Sequence, residues 1–201
     1  MQVLRGLAVL CGALVGLAVS LQAAYACACC THTGQRHDAV GPLDPGKRDE
    51  IGRLRFRPVA HLFTGEADPD MIKGIAAQSS QYNLRVKHEK GRWVFAFRDK
   101  NGRSGTLVLA MPKSIAVLEV DPRRGERKGG IGPSLYREWK LTSRAAGTGI
   151  FAPGMGETQR ITLVLQGNGN SCASAGDFTH WTLAVSGPVA RYHLFGELIQ
   201  P

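Results

Sequence analysis

In run after run from Leu54 onward, apolar side chains recur at every second position, and this alternation limits the fold more than any other feature. Leu54 and Phe56 alternate with Arg53, Arg55 and Arg57, and Tyr82, Leu84 and Val86 with Asn83, Arg85 and Lys87. Trp93, Phe95 and Phe97 form a third series, and Ile161, Leu163 and Leu165 a later one. A period of two places such residues on one face of a strand, so the chain must bury one side of a sheet against a second layer. Turn signals separate the runs: Lys90-Gly91, Asn101-Gly102, where both residues tolerate positive φ, Met111-Pro112-Lys113 and Gly187-Pro188. Pro58 and the run Val59–Phe63 suggest an edge position or a bend. Further strands are expected over Leu107–Ala110, Ile115–Val120, Leu135–Thr142, Phe178–Ser186 and Val189–Ile199, giving about eight or nine in a meander of antiparallel neighbours. The expected fold is mainly β, a single antiparallel β-barrel or a two-layer β-sandwich with one short helix and long Gly/Pro-rich loops, and alternation alone does not choose between them.

The helix is expected after Asp68-Pro69-Asp70, where an Asp cap and a Pro in the first turn precede Met71, Ile72, Ile75 and Ala76. Three stretches break the rhythm. Thr31 to Glu50, with Gly34, Gly41, Pro42, Pro45 and Gly46, reads as an irregular arm or tether. Gly147 to Gly156 reads as a second irregular span. Asp121 to Pro133 carries Arg123, Arg124, Arg127 and Lys128 on a Gly-rich loop that could wrap an anion, although it lacks the Gly-Lys-Ser or Gly-Lys-Thr ending of a nucleotide loop.

The first 26 residues have a basic tip at Arg5, an apolar run from Leu7 to Leu21 and small residues at Ala24 and Ala26. This is the order of a secretory signal, and the run is short for a membrane-spanning helix. The organisation expected is therefore a signal peptide over 1–26, a Cys-rich arm over 27–50 and a β-rich domain over 51–201. The junction at Ala24 to Cys27 resembles that of bacterial lipoproteins, with Ala24 where Leu is usual and Tyr25 where a small residue is usual. That resemblance implies acylation of Cys27 and would leave the protein anchored through lipid; plain secretion is the leading expectation.

Cys27, Cys29, Cys30 and Cys172 all follow the leader. Bridging Cys29 to Cys30 strains the peptide between them, so a disulfide from Cys172 to one of the amino-terminal thiols is expected. It would close a loop of about 140 residues, worth about 4 to 5 kcal/mol in chain entropy, and pin the arm across the last strands. The alternative is a soft-metal site in which Cys27, Cys29, Cys30 and His32 offer thiolates and an imidazole to copper or zinc, or a thiol-redox accessory function. The spacing is tighter than that of structural zinc modules.

The chain holds 25 Lys and Arg against 16 Asp and Glu, a formal net charge of +9, of which the leader contributes only Arg5. Such a surface favours lipid head groups, an envelope polyanion or an acidic protein. Nucleic acid is not expected for an exported chain, nor membrane association except through a lipid on Cys27. Ser171, Asp177 and His180 supply the residue types of hydrolytic catalysis but lie too close in sequence to orient one another, and no nucleophile-elbow pattern surrounds Ser171. Asp177 and His180 are read as a polar cluster at the last hairpin, and His61, His88 and His193 as strand filler. The function expected is a non-catalytic structural or binding module of the cell envelope without a cofactor; an enzyme with a loop-built site is the third alternative.

Overall fold

Alternation becomes strand register in the computed structural model, which describes residues 36–65, 72–89, 91–121, 135–169 and 174–200. In chain order the elements are β1 (Arg36–Pro42), α1 (Pro45–Arg53), β2 (Arg55–Phe56), β3 (Val59–Leu62), β4 (Gln81–Glu89), β5 (Arg92–Arg98), β6 (Ser104–Ala110) and β7 (Ser114–Val120). There follow β8 (Leu135–Arg144), β9 (Ala146–Gly149), β10 (Arg160–Gly169), β11 (Phe178–Ser186) and β12 (Arg191–Ile199). The strands form one 12-stranded sheet in the order β1-β7-β8-β10-β11-β12-β3-β4-β5-β6-β9, with β2 pairing β12. Every pairing in it is antiparallel.

The sheet is not closed: β1 and β9 stand at its two ends and each pairs with a single neighbour. It folds over so that β6 lies against β8 and β10 without pairing with either. This arrangement is consistent with a two-layer β-sandwich, and the barrel alternative is discarded. The meander also fails at one point. β6 and β7 are not neighbours, because at Met111-Pro112-Lys113 the chain crosses from one layer to the other, and β7 pairs with β1 and β8 instead. The glycine-rich span after Ala145 was expected to be irregular, yet Ala146–Gly149 pairs with β6 as an edge strand.

The arm reading of the segment before residue 50 is also corrected. Residues 36–42 pair residue for residue with β7, and α1 follows at once. Asp44 caps this helix, accepting a 2.9 Å hydrogen bond from the Lys47 backbone N–H, with Pro45 in the first turn. Leu43 and Ile51 are buried in the core. The Asp-Pro start signal was therefore recognised at the wrong copy. Residues 72–80, expected to continue a helix from Asp68, contain only a bridge from Lys73 to Arg191 and bends, while residues 66–71 lie outside those described.

The core is aromatic at its centre. Phe56 meets Trp93, Phe95 and Trp181 at ring separations of 5.4, 5.5 and 5.7 Å, all edge-on. Phe97 packs on Phe151 at 5.2 Å, and Phe151 stacks on Tyr192 at 5.7 Å. Such pairs add about 0.5–1.5 kcal/mol each beyond the area they bury. Tyr192 is 2% exposed, and its hydroxyl finds no partner among the described residues. An orphaned buried hydroxyl costs about 1–3 kcal/mol. Tyr192→Phe is accordingly expected to raise stability by about 1 kcal/mol, read as a higher urea midpoint with an unchanged slope.

Candidate functional site

The exposed face of β3, β4, β5 and β6 follows from the same alternation that fills the core. On β4 the outward residues are Gln81, Asn83, Arg85 and Lys87, opposite buried Tyr82 and Leu84. Register places Asn83 across from Arg98 and Arg85 across from Ala96, and Arg98 across from Ser104 on β6. A shallow groove of about 700 Å³ runs here, with Asn83, Arg85, Arg98 and Ser104 in its lining. A second of about 460 Å³ adjoins it through Asn83 and Arg98, and continues past Ser79, Gln81, Lys100 and Asn101. Arg85, Lys87, Arg98 and Lys100 are all exposed and make no ion pair or hydrogen bond among the described residues.

That is unusual on this molecule, because most described carboxylates already hold a cation. Asp38 pairs with Arg36, Glu89 with Arg92, Glu138 with Lys140 and Glu197 with Arg57. Of the alternating cations Arg53, Arg55 and Arg57, the first and last are paired in the same way. Arg53 pairs with Glu50, Arg57 with Glu197, and Arg55 donates from one nitrogen to the carbonyls of Gly52, Arg53 and Leu54 at the end of α1. The unpaired positive charge is thus concentrated on β4, β5 and the β5–β6 hairpin.

Asp99 fixes that hairpin. One of its oxygens accepts from the Asn101 and Arg103 backbone N–H groups at 2.9 Å each, and the other from Arg103 Nε at 2.6 Å. Burial acts to raise its pKa, but the Arg103 guanidinium and the two backbone donors together hold the carboxyl below its usual range. A lowered folded value contributes stability that is complete above the usual carboxylate range and is lost as pH falls through the lowered one. The expected result is that amide exchange at Asn101 and Arg103 stays slow into mild acid and accelerates below that range. In Asp99→Asn the acceleration with acid should disappear, at a higher starting rate.

The expected functional residues fare differently. Cys27, Cys29, Cys30, Cys172 and His32 lie outside the described residues, as do Ser171 and the loop with Arg123, Arg124, Arg127 and Lys128. No disulfide occurs among the described residues, none of which is a cysteine. The pinning once assigned to a Cys172 bridge is done by other means: β1 pairs with β7, and Glu50 accepts from the Ala175 backbone N–H at 2.7 Å, tying α1 to the turn before β11. Asp177 and His180 are not joined. His180 is exposed and bonds to the Thr179 hydroxyl at 2.8 Å, whereas Asp177 turns inward to Arg137.

Arg137 went unnoticed as a candidate and is the most buried cation described, its side chain 2% exposed. It donates to Asp177 Oδ2 at 2.6 Å and to Glu119 Oε1 from two nitrogens, one of them Nε at 3.0 Å. Gly169 makes the room, since a Cβ there would stand 1.9 Å from the Asp177 carboxyl carbon. This is a charge cluster enclosed by the sandwich and directed at itself. Among the described residues no group of three or more His, Cys, Asp or Glu side chains is placed to hold a metal ion, and no helix is long and apolar enough to cross a membrane.

No known relative decides the matter. The chain matches no family model, and neither the curated proteins nor the solved structures returned a match. The functional reading therefore rests on the basic face itself, whose signal in the sequence was the run of Asn83, Arg85 and Lys87 on the wet side of one strand.

Proposed function

We propose that this chain is an exported cell-envelope protein whose β-sandwich binds polyanions through the β4–β5 face. One observation carries the reading: Arg85, Lys87, Arg98 and Lys100 stand together without ion pairs on a molecule where most other charges are paired. Asn83, Gln81, Ser79 and Ser104 line the same grooves with neutral donors, which suits phosphate or carboxylate oxygens spaced along a polymer or a head-group layer. Export is supported by the leader over residues 1–26, and Cys27 offers a point of acylation that would hold the module near such a surface. The neutral and cationic donors of the face suit binding of an anion.

The test compares two variants of equal charge. Arg85→Gln with Arg98→Gln and Lys100→Gln removes the face, while Arg48→Gln with Lys113→Gln and Arg160→Gln removes the same charge from α1, the β6–β7 connection and the start of β10. Each exposed cation near an anionic surface is worth about 1 kcal/mol before screening. The first variant should bind about 100-fold more weakly at low salt, and the second nearly as well as the parent. Phosphatidylglycerol vesicles and soluble polyphosphate serve as separate probes, so that binding to vesicles alone would point to head groups and to polyphosphate alone would point to a polymer. Equal losses in the two variants would show that net charge, and not this face, is responsible.

A further inference from the structure

A second concavity, sharing no residue with those grooves, opens where the end of α1 meets β2, β4 and β5. It encloses about 350 Å³, near the lower end of the range that holds small ligands, and its walls include Gly52, Arg55, Phe56, Val86, His88 and Trp93. Its most informative member is Trp93. That side chain is 2% exposed, and its indole Nε1–H has no acceptor among the described residues. Trp181, in the same aromatic cluster, donates to the Glu197 carbonyl at 3.2 Å, so the fold supplies an acceptor to one indole and withholds it from the other. A buried donor without a partner is costly and is met in native structures where a ligand or water completes the bond.

The other groups define what would complete it. Arg55 is held by three carbonyl contacts from a single nitrogen, and its remaining N–H groups make no bond among the described residues. A guanidinium oriented in this way is prepared for a carboxylate. The His88 ring stands edge-on to Trp93 at 5.7 Å, and Phe56 and Val86 supply an apolar wall. We propose that this cleft is a binding site for a small carboxylate carrying an apolar ring or short chain, its charge on Arg55, its apolar part against Phe56 and Val86, and an oxygen accepting from Trp93. The site is independent of polyanion binding on the sheet face.

Benzoate is the probe, titrated into the whole ¹⁵N-labelled protein while the three indole N–H resonances are followed, with Trp93→Phe identifying the one that belongs to Trp93. The expected result is a saturable shift of the Trp93 signal, with those of Trp139 and Trp181 unmoved, and at least tenfold weaker binding of benzyl alcohol. Arg55→Gln should weaken benzoate about tenfold. Arg55→Lys, which keeps the charge and loses the planar fork, provides the same comparison should the first variant lose the dispersion of a folded spectrum. A Trp93 signal that does not move, or equal binding of benzoate and benzyl alcohol, would overturn the assignment.

Discussion

Replacing Arg137 with methionine is expected to destabilise the fold by about 3–5 kcal/mol, because the change leaves two carboxylates facing each other inside the sheet without their shared cation. Glu119 and Asp177 are 16% and 12% exposed at the side chain, so water can screen them only in part. Urea unfolding would register the loss as a lower midpoint. The triple replacement Arg137→Met, Glu119→Gln, Asp177→Asn should recover at least half of it, since removing all the charges also removes their desolvation cost. A single variant that unfolds at the parent midpoint would mean that the cluster contributes nothing to the folded state.

Gly74→Ala should cost about 3–4 kcal/mol for two separable reasons. Gly74 has φ +88, which costs an L side chain about 1–2 kcal/mol, and a Cβ there would lie 2.4 Å from Ala190 Cβ and 2.9 Å from Gly154 Cα. Overpacking of that kind adds about 1–3 kcal/mol. This contact fastens the segment after residue 71 to the turn between β11 and β12, next to the paired backbone bonds of Lys73 and Arg191 at 3.1 and 3.0 Å. Gly91 provides the comparison: its φ is +75, yet nothing lies within 4 Å of the position a Cβ would take. Gly91→Ala should therefore show the backbone cost alone, and the difference between the two urea midpoints measures the packing.

Where a residue's role is set by its immediate neighbours, the sequence was readable. Trp93, Phe95, Phe97, Trp139 and Leu141 all face inward as alternation requires, as do alternate residues of the last hairpin such as Trp181, Leu183, Tyr192 and Leu194. The Asp-Pro helix signal was equally local, but the dipeptide occurs three times, at Asp44, Asp68 and Asp121, and only tertiary context separates the copies: Leu43 and Ile51 flank and line α1 with apolar surface that the sheet can bury. Arg137 shares its parity with Trp139 and Leu141 and is buried with them. Its meaning stayed hidden because its partners are 18 and 40 residues distant, and no short-range pattern announces a pairing of that span. The short strand at Ala146–Gly149 was obscured by its glycines, which sit at a sheet edge where β6 comes too close for larger residues. The unpaired cations of the β4–β5 face were visible as charges, but which charges lack partners becomes known only when all of the pairs are placed.

The position of β12 has a consequence for how the protein is made. Last in chain order among the described strands, it lies in the interior of the sheet, with β11 on one side and β3 on the other. Until it emerges, the growing chain has two partial sheets with no ladder to connect them, each exposing one face of apolar side chains. Assembly must therefore wait for contacts that span most of the sequence, which places folding among the slow, non-local cases. For a chain that is exported as we propose, such a delay is useful: a polypeptide that cannot complete its sheet before its last strand is synthesised remains open long enough to be threaded through a translocation channel.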